Sequence, residues 1–273
     1  MKQDAKRRAV LWGAAFYIGF AKAGFGGAVG LVATPLLALV MPAKRSVALA
    51  LPLLLITDIV NIGMYWGMWD LTAGLWLLPG GVVGTFMATR ALARLSDYWV
   101  KKTLGILALT FAPAQLAQQL IWPEWAPGAL AWGWSSALIG LVVGFAVGVF
   151  STIGHVGGVV STIYFLAVLP KENMNTALVG TMTILFLCLN ALKMGTYRQA
   201  GLMTRETMRL IPRMLPTLAL GLLAGKGVNA ALGGDRVDGF ILASLIAVAA
   251  MGWKLVRSPK PAPAATPPTD SAR

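Results

Sequence analysis

Residues 130–169 form a run of 40 residues that contains no Asp, Glu, Lys or Arg. As one helix it would be about 60 Å long at 1.5 Å per residue, twice the roughly 30 Å hydrocarbon thickness of a bilayer. A run of this kind crosses a membrane, turns, and crosses back. Gly and Ser cluster near its middle, between Ser151 and Gly158, and the turn is expected there. The rest of the chain agrees: 57 % of its residues are hydrophobic and 12 % charged, against about 25 % charged in a soluble domain. The chain reads as an all-α integral membrane protein.

Eight apolar runs, approximately 10–40, 47–66, 71–89, 99–120, 130–169, 176–194, 210–224 and 240–253, suggest eight spans. The basic residues decide otherwise. They fall in five groups: Lys2, Lys6, Arg7 and Arg8; Lys44 and Arg45; Arg90, Arg94, Lys101 and Lys102; Arg198, Arg205, Arg209 and Arg213; and Lys254, Arg257, Lys260 and Arg273. Eight single spans leave almost no charge bias between the two faces. If runs 10–40 and 130–169 are both hairpins, all five groups share one side, with only Lys171, Lys226 and Arg236 opposite. The positive-inside rule prefers that arrangement: about ten membrane segments, some short or re-entrant, with both termini cytoplasmic.

Other classes recede. The net charge of +13 would suggest nucleic acid in a soluble chain, but here it reflects basic loops, so no nucleic-acid partner is expected. The single cysteine, Cys188, and single histidine, His155, exclude an intramolecular disulfide and leave little scope for a metal site. No Walker motif, Gly-x-Ser-x-Gly elbow or His-Glu-x-x-His motif is present. The basic stretch before the first apolar run imitates a secretory signal, yet no clear small-residue cleavage site follows. The Pro/Ala-rich tail, 258–273, is expected to be disordered.

The chain also repeats. At an offset of 128, Gly26, Gly30, Val32, Thr34 and Pro42 match Gly154, Gly158, Val160, Thr162 and Pro170. At 129, Ala48, Leu49 and Asn61 match Ala177, Leu178 and Asn190; later, Pro79 and Gly84 match Pro216 and Gly221. The order is preserved, which points to duplication, with a first repeat over 1–128 and a second over 129–257. Five segments per repeat is odd, so the second copy enters from the opposite face. Two inverted five-segment repeats, each opening with a Gly-rich hairpin, are therefore expected. Transporters and some channels share that architecture, with the binding site at the repeat interface near the midplane.

The stretch AGFGGAVGLVATPLLALVMP, from Ala23 to Pro42, followed by Ala48 to Pro52, resembles the TauE/SafE family of sulfite-exporter-like permeases. GHVGGVVST, from Gly154 to Thr162, and NTALVGT, from Asn175 to Thr181, resemble the family's second repeat. The resemblance covers about residues 10–255. It implies transport of sulfite or small organosulfonates across the bacterial cytoplasmic membrane, with a small anion and the lipid bilayer as partners. This chain departs from the glycine-rich form at His155 and Ala28.

Charges inside spanning segments cost about 2.5–3.5 kcal/mol each on insertion scales, so each needs a reason. Lys22, Asp58 and Lys193 lie within the apolar runs, with His155 as a titratable fourth. Lys22 precedes the first glycine turn and His155 lies in the second, so the two turns are expected to converge at the midplane. Backbone N–H groups of the returning half-helices would add to the positive field for an anion. Asp58 and Asn61 are three apart, as are Asn190 and Lys193, so each pair shares a helix face. The candidate substrate site is thus Lys22, Gly26, Gly27, Asn61, His155, Gly157, Gly158, Asn190 and Lys193. Asp58 is read as an ion-pair or coupling residue.

Each has a plainer reading. The glycines serve close helix packing, as Gly140, Gly144 and Gly148 are expected to, and the asparagines can be interhelical glue. Lys193 can snorkel to the cytoplasmic end of its run. His155 can be a hydrogen-bonded turn residue, or pair with Ser151 in a membrane enzyme. The leading reading is a secondary transporter without cofactors, with proton or sodium coupling left open. A passive anion channel stands second, an enzyme behind both.

Overall fold

The computed structural model describes residues 2–25, 29–121, 133–169, 174–232 and 238–260. Within them all regular structure is helical. The elements are α1 (Lys2–Phe25), α2 (Val29–Ala38), α3 (Ala43–Met64), α4 (Leu71–Arg94), α5 (Asp97–Ile121), α6 (Trp134–Gly154), α7 (Gly157–Val168), α8 (Met174–Gln199), α9 (Arg205–Met208), α10 (Ile211–Leu232) and α11 (Asp238–Val256). Helices α3, α4 and α6, and residues 176–199 of α8, are long and apolar enough to cross a membrane by length and composition.

Both long apolar runs break, as their length requires. In the second run α6 ends at Gly154 and α7 starts at Gly157. His155 caps α6 in the left-handed region, at φ 57° and ψ 26°, and is the one non-glycine residue with positive φ among the described residues. Its N–H donates to Ser151 O at 3.1 Å, the 5→1 bond of a left-handed αL cap, and that of Val156 donates to Phe150 O at 3.4 Å. In the first run α1 ends at Phe25 and α2 begins at Val29. Gly26 and Gly27 lie outside the described residues, as does the tail from 261. The returning arms are short. Helix α2 has 10 residues and α7 has 12, about 15 and 18 Å, too little to cross a bilayer alone.

The helices pack with their polar side chains inward. Thr34, Thr57, Asp58, Asn61, Thr85, Ser151, Asn190 and Lys193 are buried, while Ile59, Val60, Leu75, Leu138, Val142, Leu223 and Ile246 are exposed. That distribution is the reverse of a soluble fold and suits an apolar solvent around the bundle.

Helix α1 lies along α10 and α6 lies along α4, while α3 meets α8 and α5 meets α11. The first two contacts are glycine-mediated. A Cβ at Gly221 or Gly225 would meet Phe16 O or Phe20 O at 2.1 and 2.2 Å; one at Gly144 or Gly148 would meet Leu77 O or Gly81 O at the same two distances. Backbones approach this closely only where both surfaces are bare, which is the small-residue packing expected of Gly144 and Gly148.

The basic groups gather at one end. Lys44 Nζ donates to Ala93 O at 2.8 Å, and Asp97 Oδ1 accepts from the Lys44 N–H at 2.9 Å. Arg45 pairs with Glu206 at 2.8 Å, and Lys102 donates to Val256 O. These bonds tie the start of α3 to α9 and to the α4–α5 junction, and the start of α5 to the end of α11. At the opposite end, Trp66 and Trp69 meet edge to face at 5.5 Å in the α3–α4 turn, and Trp66 is exposed, as an interfacial anchor would be.

Candidate functional site

A charge in the last turn of a helix faces the negative end of its dipole. Lys22 occupies that position in α1. From there its Nζ reaches Asp58 Oδ1 on α3 at 2.5 Å, and both side chains are all but fully buried. The second carboxylate oxygen, Oδ2, accepts from Asn190 Nδ2 of α8 at 2.6 Å. One turn along α3 from Asp58, Asn61 Nδ2 donates to the backbone oxygen of Lys22 at 3.0 Å. Four residues from three helices are thus linked in one continuous chain, charge-assisted at the Asp58 carboxylate. The ring of Phe186, one turn before Asn190 on α8, lies 5.4 Å from Lys22 Nζ.

Lys193 serves the other broken helix. Its Nζ donates to Ser151 O at 3.1 Å and Ser151 Oγ at 2.8 Å, in the last turn of α6. Tyr197, one turn further along α8, donates its hydroxyl to Thr152 O. The C-terminal carbonyls of α6 are therefore held by α8. Lys193 is fully buried, so the snorkelling alternative does not describe it. It lies within electrostatic range of Asp58 and of Lys22.

His155 makes one ring hydrogen bond, from Nε2 to Val47 O at 3.0 Å. A carbonyl accepts, so Nε2 carries the proton. Ser151 Oγ is taken by Lys193, and no bond joins the side chains of His155 and Ser151 among the described residues, so the two are not arranged as base and nucleophile. The expectation that both turns converge on one point needs correcting. Lys22 O is tied to Asn61 and His155 to Val47, 14 residues apart along α3 and hence about 21 Å along its axis. The last turn of α1 and the cap of α6 therefore lie at different levels along α3. The lysine side chains and Asp58 lie between the two levels.

Asn61 and Asn190, the related pair, both sit in this cluster, but with different partners: one holds a backbone oxygen, the other a carboxylate. The glue reading and the site reading describe the same bonds. Gly157 is required by packing, since a Cβ there would meet Val147 O and Ser151 Cβ of α6 at 2.7 Å. Gly157 and Gly158 also open α7, where first-turn N–H groups have no helical partner. The hydroxyls of Thr152, Ser161 and Thr162 bond carbonyls within their own helices. Phe186 and Tyr197 were not singled out from the sequence, although their spacings of four from Asn190 and Lys193 place them on the same face of α8.

A separate cavity of about 780 Å³ opens between the α3–α4 turn and the start of α8, lined by residues 67–71 with Leu169, Thr176 and Ala177. None of the buried charges lines it. Here Asp70 caps α4 by accepting from the Ala73 N–H at 2.9 Å, and its own N–H donates to Thr181 Oγ1 at 2.8 Å. No group of three or more His, Cys, Asp or Glu side chains that could hold a metal is present among the described residues.

The family model for the sulfite exporter TauE/SafE matches residues 11–252. Neither the curated proteins nor the solved structures contain a match to the chain.

Proposed function

The chain belongs to the sulfite exporter TauE/SafE family of membrane transporters, and from that premise we propose that it is a secondary transporter that exports sulfite or a small organosulfonate by alternating access. The observation that carries the proposal is the buried cluster: two ammonium groups and one carboxylate, at 5 %, 0 % and 0 % exposure, where two broken helical hairpins overlap. Unpaired positive charge inside a membrane bundle is costly, and an anion in transit offsets it.

The inverted architecture, with repeats over 1–128 and 129–257, is part of the same proposal. Its support is the exchange of partners between the halves. The opening helix of each half, α1 or α6, lies along the fourth helix of the other, α10 or α4 with the four-residue α9 left out of the count, while α3 meets α8 and α5 meets α11. A two-fold operation that swaps the halves preserves all four contacts. Gathering of the basic groups at one end supports cytoplasmic termini in a bacterial inner membrane. The Lys22–Asp58 pair supplies a two-state element, since a bound anion competes with Asp58 for Lys22.

Sulfite flux into proteoliposomes, with proton, sodium and potential gradients imposed separately, tests this reading. The expected result is saturable flux with counterflow, driven by one of the gradients. Non-saturating flux without counterflow identifies a passive channel instead. No flux above protein-free liposomes, with folded protein and with organosulfonates also tried, overturns the proposal.

A further inference from the structure

An ammonium carries three donors, a carboxylate only acceptors, and a side-chain amide one acceptor oxygen beside its NH₂. In the buried cluster these capacities do not balance. Lys22 Nζ is engaged with one oxygen of Asp58, and Lys193 Nζ with two atoms of Ser151, which leaves N–H donors on both. Asn61 Nδ2 and Asn190 Nδ2 are committed to Lys22 O and Asp58 Oδ2. Both partners are acceptors, so neither amide can flip, and both Oδ1 atoms must face elsewhere. Neither has a hydrogen-bond partner among the described residues, although Asn61 is 0 % and Asn190 2 % exposed. Buried acceptors of this kind cost about 1–3 kcal/mol each when left unmade.

The formal charge is also unbalanced. Lys22 and Lys193 against Asp58, with histidine counted neutral, leave one positive charge. A ligand that completes this site brings one negative charge, oxygens for the ammonium donors, and at least one hydrogen for the amide oxygens. A sulfite or sulfate dianion overcompensates the charge beside Asp58 and has no hydrogen to donate.

We infer that the cluster selects a monoanion that also donates a hydrogen bond, namely hydrogen sulfite or a sulfonate bearing a hydroxyl group, over dianions and over sulfonates without a donor. The inference rests on the transport reading above and narrows its substrate class. The donor binds the oxygen of Asn190 or Asn61, while the sulfur-bound oxygens face Lys22 and Lys193.

Sulfite counterflow in proteoliposomes at constant pH, without gradients, is measured against three competitors: 2-hydroxyethanesulfonate, ethanesulfonate and sulfate. The first two share charge and headgroup and differ by one hydroxyl. The expected result is that ethanesulfonate competes about tenfold more weakly than its hydroxylated counterpart, and sulfate more weakly still. In Asn190→Leu and Asn61→Leu the ratio between the two sulfonates falls toward one. Equal competition by the two sulfonates in the wild-type protein, or a ratio unchanged in both variants, overturns the donor requirement. Sulfate competing as well as the monoanions overturns the charge requirement. Both results leave transport itself intact. Absence of any sulfite counterflow instead removes the transport reading, and this inference with it.

Discussion

Replacing Asp58 by Asn keeps the shape of the side chain and removes its charge. Lys22 then stands 5 % exposed without the carboxylate that held it at 2.5 Å, and a single amide oxygen replaces the two oxygens that served Lys22 and Asn190. Removing one partner of a buried ion pair costs about 3–5 kcal/mol, because the other charge remains desolvated and unpaired. For a chain of this size that corresponds to a loss on the order of 10 °C in melting temperature. The decisive variant is the double one. In Lys22→Met with Asp58→Leu both charges are gone and similar volume is kept, so most of the lost stability returns. Thermal unfolding of the detergent-purified wild type, Lys22→Met, Asp58→Leu and the double variant, with Asp58→Asn measured alongside and all followed by far-ultraviolet circular dichroism, closes the cycle. A double variant as unstable as Asp58→Asn would refute the ion pair as the source of the effect. Flux separates the roles: the double variant is stable yet transports no anion if Lys22 binds substrate.

Three further outcomes are expected. Gly148→Ala places a Cβ 2.2 Å from Gly81 O and forces α6 away from α4, at a cost of about 1–3 kcal/mol or more, whereas Gly195→Ala, with nothing within 4 Å, is stabilising by up to about 1 kcal/mol; the difference in melting temperature reports it. His155→Gly relieves a left-handed residue, at φ 57°, worth about 1–2 kcal/mol, and so offsets the lost bond to Val47 O; His155→Ala loses the bond without that relief and melts lower. Arg45→Ala removes an ion pair whose side chains are 44 % and 73 % exposed, and the measured stability changes by less than about 1 kcal/mol.

Much of this protein is legible before any coordinates are known. The uncharged run of 40 residues dictates a membrane solvent and a break, because a helix of that length has nowhere to end. Its position is also legible, since Gly154, Gly157 and Gly158 surround the place where α6 stops. Insertion cost alone marks Lys22, Asp58 and Lys193 as residues that need partners. What the sequence does not carry is the identity of those partners. Asp58 could have paired with either lysine; the depth to which α1 penetrates brings Lys22 to it and leaves Lys193 on Ser151. The repeat relates Asn61 to Asn190, yet the charges have no counterparts in the other half, so the two amides find different acceptors. The levels of Lys22 O and His155, about 21 Å apart along α3, also depend on packing, because local sequence sets where a helix ends and only its neighbours set how far it reaches. Local chemistry determined the solvent, the helices and their breaks; the tertiary structure decided which buried charges meet, since the pairing energy depends on distances between segments that the chain itself keeps far apart.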